Sequence, residues 1–207
     1  MAVRGAAAYV DKDDRQIHLR ADDAYSLVDK ALKAYETEHH HAPARVVIHK
    51  SSVSSDAELD GFLDAAENNK VHSVDILSLY SAGVRLFRVG AYPPLRGTYL
   101  TMGEETAVLY TKGSVNFFAT YPGMYIPQTL GIRFDDVEEG PISLGAEVLA
   151  LTKMNWNNTQ FDGYEPITLV AARKVGSILK YVPDDDRKVP LQQNLWAHSG
   201  SGSRPSV

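Results

Sequence analysis

The sequence has no cysteine in its 207 residues. That single absence removes a disulfide scaffold, a thiolate zinc site and a cysteine nucleophile together, and it suits the reducing cytoplasm, where the protein is expected to reside. Long hydrophobic runs are also missing. Nothing approaches the roughly 18 apolar residues of a membrane span, and the opening stretch Met1–Asp14 meets charge too early for the apolar core of a secretory signal. No membrane partner is expected. Positive charge is in short supply: 21 Lys and Arg face 26 Asp and Glu, a formal net charge of −5. That is the wrong sign for holding nucleic acid by bulk attraction, so any phosphate contact must come from a local basic surface. What is present is ordinary for a folded domain, with 44% hydrophobic and 23% charged residues. Global disorder is excluded, and the length suits one domain or a large piece of something bigger.

The charge is uneven. Residues 1–60 hold eight Lys and Arg against eleven Asp and Glu. From Gly83 to Phe134 the basic residues are Arg85, Arg88, Arg96, Lys112 and Arg133, and the acidic ones are only Glu104 and Glu105. A positive stripe within an acidic protein points weakly to an anionic ligand.

Hydrophobic periodicity organises the chain. Ala6–Val10 reads as a short strand, followed by a polar turn. Ala24, Leu27, Val28, Ala31, Leu32 and Tyr35 recur at helical spacing, with Asp22 and Asp23 where a helix N-terminus favours anions. His39–His41 and Pro43 end that helix. The β-branched run Arg45-Val-Val-Ile-His49 reads as a buried strand. Ser55-x-x-Glu58 is a capping box, and Leu59, Phe62, Leu63 and Ala66 continue a second helix. Val74–Tyr80 is a further strand. Helix and strand alternating at these lengths imply crossover connections and a parallel core.

After Ser81 the rhythm changes. Val84–Val89, Thr98–Met102, Ala107–Thr111 and Val115–Thr120 read as short strands joined by Gly and Pro turns, hence as hairpins. Leu144–Lys153 and Pro166–Val182 read as helices, the second with Ile167, Val170, Ala171, Val175, Ile178 and Leu179 on one face. Residues 1–182 form one domain in this reading. Residues 183–207 form a tail whose Ser/Gly/Pro-rich end is expected to be flexible.

Five blocks in fixed order carry a resemblance: Arg96-Gly-Thr98, Leu109-Tyr-Thr-Lys-Gly113, Thr120-Tyr-Pro-Gly123, Leu151-Thr-Lys-Met-Asn-Trp-Asn157, and Pro166 after them. Together they resemble the C-terminal part of the PIWI domain of a prokaryotic Argonaute. Arg45–Lys50 resembles the PIWI strand that ends in a basic residue, with the expected helix before it. The resemblance spans about residues 18–182. It implies an α/β, RNase H-like PIWI fold lacking its first one or two strands, in which a guide strand is held paired with its target. A core short of strands would leave a sheet edge open, which proteins rarely tolerate, so another polypeptide is expected to supply the missing N-terminal part.

The resemblance also bears on activity. Slicing Argonautes hold two divalent cations with carboxylates, because hard Mg²⁺ or Mn²⁺ prefers oxygen and must stabilise the attacking and leaving oxygens. The family's second catalytic Asp follows the basic residue that ends the strand. Here Ser51 and Ser52 follow Lys50. The last ligand lies on the helix after the proline, where Ala172 and Arg173 stand, and the strand that carries the first Asp is not found. The resemblance therefore implies a nuclease-inactive module. Inactive members of the long type tend to use RNA guides against invading DNA, which favours an RNA guide, a DNA target and a role in prokaryotic defence. Many family members end on an apolar residue whose carboxylate helps Mg²⁺ bind the guide's 5′ phosphate. Val207 is apolar but follows the flexible Ser199–Ser203, so no cofactor is expected.

Candidate nucleic-acid-binding residues follow from the same blocks: Lys50, Arg96, Thr111, Lys112, Lys153, Asn155, Asn157, Asn158, Thr159 and Gln160. Amides and hydroxyls after a helix can grip phosphate oxygens without reading sequence. Each also has a structural reading. Asn155 could cap a helix, Asn157-Asn158 could form a turn, and Arg96-Gly-Thr98 could be a turn with Gly97 at positive φ. Trp156, Tyr121 and Tyr125 could stack bases or belong to the core. His39–His41 cannot all face one metal ion from a helix, Asp184–Asp186 reads as a solvated loop, and His198 lacks the orienting partners a catalytic base needs.

Two other functions remain open at this point. One is a metal-dependent, guide-directed endonuclease rebuilt from Asp56, Glu58 and Asp60. The other is a structural subunit of a split Argonaute that touches protein only.

Overall fold

The computed structural model describes residues 3, 5, 8–12, 15–86, 89–90, 95–113, 128–154, 163–179 and 181. Two strands open the chain, β1 (Tyr9–Val10) and β2 (Ile17–His18), paired antiparallel as a separate two-stranded ribbon. Then come α1 (Ala21–His39), β3 (Arg45–Lys50), α2 (Asp56–Asn68) and β4 (Ser73–Ala82). The remainder supplies β5 (Tyr99–Thr101), β6 (Thr106–Leu109), β7 (Thr129–Asp136), α3 (Pro141–Leu151) and α4 (Ile167–Leu179).

The main sheet has the order β3-β4-β7-β6-β5. Only β3 and β4 are parallel, with α2 crossing between them, while every other pair is antiparallel. The expected parallel core is thus a single parallel pair. Alternation along the strands divides the apolar side chains between two faces. Val74 and Ile76 face α1 and α2, meeting Ala24, Val28, Leu32, Phe62, Ala65 and Ala66. Leu77, Leu79, Leu130, Ile132 and Phe134 face the other way, onto Leu144 and Val148 of α3 and Leu169 of α4. An irregular register between Ile76 and Leu77 marks where β4 switches its apolar side chains from one face to the other.

Local chemistry explains the element ends. Ser55 accepts from the Glu58 N–H, and Glu58 reaches back to the Ser55 N–H, completing the capping box that starts α2. Pro141 sits in the first turn of α3, where a missing N–H costs nothing. At the other end of α1, His40 adopts φ 63° as the left-handed cap. The buried carboxylate of Asp75 accepts from Arg45 and from the N–H groups of Glu138 and Glu139. Arg45 also grips Glu147 with two nitrogens, so one guanidinium ties β3, β4 and α3 together.

Four expectations change. Of the strand expected over Ala6–Val10, Tyr9–Val10 is a strand, and it pairs with β2 outside the main sheet. Residues 84–86 are not strand, and the expected strand Val115–Thr120 lies outside the described residues. The strand β7 was not anticipated, although it lies at the sheet's centre, because Gly131 and Arg133 break its apolar run. Finally, the expected apolar stripe of α4 is not the face it buries: Leu169 is the one buried residue of the helix, while Ile167, Val170, Val175 and Leu179 are half-buried and Ala171 and Ile178 exposed.

Candidate nucleic-acid interface

The C-terminal end of β3 is built around one buried carboxylate. Glu58 is fully enclosed. It accepts from Lys50 Nζ at 2.5 Å, from the N–H groups of Leu19 and Ser55, and lies 2.9 Å from His18 Nδ1. Burial alone would raise its pKa, but the Lys50 ammonium, the Ser55 and Leu19 N–H groups and His18 outweigh that and hold it below the ordinary glutamate value. Lys50 donates as well to the Val53 carbonyl. Its charge is therefore turned inward rather than toward a ligand. Next in sequence, Ser51 is exposed, and Ser52 donates to the Ile17 carbonyl. The ribbon β1–β2 is clamped at this end through His18, Leu19 and Ile17.

The same end of β3 meets α4. His49 Nδ1 lies 2.8 Å from Thr168 Oγ1 across the two elements. Burial lowers the His49 pKa, with Glu147 acting in the opposite direction. Ala172 follows Thr168 by one helical turn and shares its side of the helix; it is exposed, and the exposed Arg173 is paired with Glu165. The fold thus brings the strand that ends before Ser51 alongside the helix that carries Ala172 and Arg173. None of the three side chains offers an oxygen anion.

The other candidates separate into two kinds. Arg96 donates through Nη2 to the Leu149 carbonyl at 3.2 Å and to Thr152 Oγ1 at 2.7 Å, so it braces the C-terminal end of α3, where a cation is favoured. Gly97 has φ +87°, which fits the turn reading of Arg96–Thr98. Thr111 is fully buried and donates to the Tyr164 carbonyl, whose own hydroxyl reaches the Thr129 carbonyl. These two residues hold the loops together. Lys112 is half-buried and Lys153 exposed, without side-chain partners among the described residues. A shallow cleft of about 170 Å³ lies between the ends of α3 and α4, lined by Leu151, Thr152, Gly163, Tyr164, Ile167 and Val170. Asn155, Trp156, Asn157, Asn158, Thr159 and Gln160 lie outside the described residues, as do Tyr121, Tyr125, Asp184–Asp186, His198 and Val207.

No family model matches the sequence, and no curated protein matches it. Solved structures do. The crystal structure of A. aeolicus Argonaute superposes with a TM-score of 0.63 at 18% identity, covering 82% of this chain and 23% of that one. The fold is Argonaute-like. Clostridium butyricum Argonaute, bound to a guide DNA and a 19-mer target DNA, gives a TM-score of 0.64 at 16% identity, over 82% of this chain and 22% of that one. Aa-Ago with externally bound siRNA gives 0.61 at 19% identity, over 76% of this chain and 21% of that one. The chain therefore spans about a fifth of the length of these Argonautes, as a partial PIWI-like piece would. Its mixed α/β architecture agrees with the RNase H-like fold expected from the sequence.

The sequence did not reveal the partners of Glu58. The capping box located Glu58, but His18 is 40 residues away and nothing local signals the contact. Among the described residues no group of three His, Cys, Asp or Glu side chains could hold a metal ion, and no helix is long and apolar enough to cross a membrane.

Proposed function

We propose that residues 1–182 are the C-terminal portion of a PIWI-type domain that holds a guide strand paired with its target and does not cut it. The observation that carries the inactive reading is the end of β3. Divalent cations need hard anionic oxygens, but the local groups are the Lys50 ammonium, Ser51, Ala172 and Arg173. Two buried carboxylates lie near this end among the described residues, and both are occupied: Glu58 by Lys50, His18 and two N–H groups, and Asp135 by the Ser78 hydroxyl, the Ser54 N–H and the neighbouring Arg133. Among the described residues, this set does not fit a two-metal site. Asp56 and Asp60 are exposed on α2 while Glu58 is buried, so these three do not converge either, which weighs against the rebuilt endonuclease. No cleavage of guide-paired DNA or RNA is expected with Mg²⁺ or Mn²⁺, and Ser51→Asp alone should not restore it. A metal-dependent product at a fixed distance from the guide's 5′ end would overturn the inactive reading.

An RNA guide, a DNA target and a place in defence against invading DNA belong to the same proposal, as does a second polypeptide segment. That segment would continue the sheet past β3. In support, all six residues of β3 are half-buried, β4 is its only strand neighbour among the described residues, and no residue of the adjoining stripe on α4 is fully buried.

Binding is tested through Lys112 and Lys153, which have no side-chain partner among the described residues. Lys112→Ala with Lys153→Ala should weaken binding of a guide–target duplex about tenfold, after solvent discounting of contacts to charged groups. The loss should be uniform across sequences, because phosphate contacts carry no base information. The slope of log affinity against log salt should flatten by about 1.8 for two lost phosphate contacts on duplex. Fluorescence anisotropy at several salt concentrations measures both. Unchanged affinity and slope in a folded double variant would remove these lysines from the interface, and absence of any duplex binding by the parent chain would sink the reading.

A further inference from the structure

Beyond Ile76 the face of the sheet that packs on α1 and α2 turns from apolar to mixed, with Ser78 still buried and Tyr80 exposed. Strand register lines up one row across four strands there: Tyr80 opposite Gly131, Gly131 opposite Val108, and Val108 opposite Leu100. The row is open at its two ends, with Tyr80 41% and Leu100 46% exposed, and closed at Val108 between them. Gly131 makes the row shallow. A Cβ there would lie 2.5 Å from Cε2 and Cζ of Tyr80, so the tyrosine ring occupies the space that a side chain would fill. The ring is thereby laid across the neighbouring strand. Its hydroxyl makes no hydrogen bond with any described residue.

The next row carries the charge. Arg133 pairs with Ser78 in register, two residues along from Tyr80 on the same face. Its guanidinium approaches Asp135 at 3.3 Å and Glu105 at 3.8 Å, yet Nε is buried with no acceptor in hydrogen-bonding geometry. Asp135 is already engaged by the Ser78 hydroxyl and the Ser54 N–H, and Glu105 is 74% exposed. Nε is closed to a ligand, but the Arg133 side chain is 41% exposed and its Nη groups make no hydrogen bond with any described residue, so the outer end of the cation is available. An aromatic ring on a strand with a cation beside it suits a nucleobase and its phosphate, since any base presents a π-face.

We infer that the Tyr80–Arg133 face of the sheet is a binding site for single-stranded nucleic acid, with one base stacked on Tyr80 and the adjoining phosphate on Arg133. This rests on the nucleic-acid-binding reading above and assigns a second surface to it, apart from the loops carrying Lys112 and Lys153.

The test uses the full chain and a fluorescein-labelled oligo(dT) 12-mer, followed by anisotropy. Tyr80→Ala should weaken binding about tenfold, whereas Tyr80→Phe, which keeps the ring, should bind like the parent. Replacing the 12-mer with an abasic strand of the same length should erase the difference between parent and Tyr80→Ala. Arg133→Gln should weaken both strands and lower the salt dependence. Equal binding of parent and Tyr80→Ala, or a Tyr80→Ala loss that persists on the abasic strand, overturns the inference. If the parent binds duplex through Lys112 and Lys153 but Tyr80→Ala changes nothing on the single strand, only this surface fails. If the parent binds neither, both readings fail. A change of oligomeric state on Tyr80→Ala without any effect on the 12-mer would mark the face as a protein contact instead.

Discussion

Glu58→Gln is expected to cost about 3–5 kcal/mol of folding stability at neutral pH, because removing one partner of a buried ion pair leaves the other uncompensated. The substitution keeps the size of the side chain but removes the charge opposite the Lys50 ammonium, only 16% exposed, and replaces one of two acceptor oxygens with an amide donor, where Lys50, His18 and the Leu19 and Ser55 N–H groups need both. It also weakens the tie that clamps the β1–β2 ribbon onto α2, since the Leu19 N–H and His18 both converge on Glu58. The effect should depend on pH in a definite direction. The folded-state pKa of Glu58 lies below its unfolded value. Its charge therefore contributes stability that is fully present above the unfolded pKa of about 4.3 and is lost as pH falls below it, through the folded value. Urea denaturation of parent and variant at pH 7 and again near pH 3 measures this. The gap between the two should shrink at the acid end. A gap of the same size at both pH values would mean that shape, rather than charge, holds this corner.

How far the sequence could be read depended on whether the signal was local. Helices α1 and α2 were legible because their apolar spacing and the Ser55–Glu58 box are short-range, and the His39–His41 stop coincides with the helix end at His40. Strand β3 was legible for the same reason, as a compact β-branched run. Strand β7 was not, because what lets it sit at the centre of the sheet is a neighbour 51 positions earlier: the ring of Tyr80 takes the space above Gly131. Alone, Thr129–Asp136 looks like a weak strand interrupted by glycine. Among the candidate residues, Gly97 could be foreseen as a turn, but the inward use of Lys50 could not. A lysine at a strand end looks like an exposed cation until the fold sets Glu58 opposite it. Likewise Arg96 and Thr111 read in the sequence as candidate binding residues, yet each is occupied in bracing a loop.

Two glycines with the same crowding should respond in opposite ways, and the reason is what crowds them. A Cβ on Gly61 would sit 2.4 Å from the backbone oxygen of Ala21 and 3.0 Å from the Ala24 Cβ, where α1 and α2 cross. Neither neighbour can rotate away, so the helices must separate. Overpacking of this kind costs about 3 kcal/mol at the upper end of its usual range. Alanine recovers about 1 kcal/mol of helix propensity, leaving Gly61→Ala less stable by about 2 kcal/mol. Gly131 would meet Tyr80 almost as closely, at 2.5 Å, but that ring is the exposed end of a flexible side chain. Turning it aside costs about 1 kcal/mol, and alanine in a strand interior returns roughly 0.5–1 kcal/mol relative to glycine. Gly131→Ala should therefore leave the denaturation midpoint nearly unchanged while lifting Tyr80 off the sheet. If Tyr80 stacks a base, Gly131→Ala must then lose affinity for the oligo(dT) 12-mer without losing stability, whereas Gly61→Ala must lose stability and, where still folded, keep that affinity. A Gly131→Ala protein that binds the strand like the parent would show that the ring need not lie on Gly131 to be used. A Gly61→Ala protein as stable as the parent would show that the α1–α2 crossing is looser than its 2.4 Å approach implies.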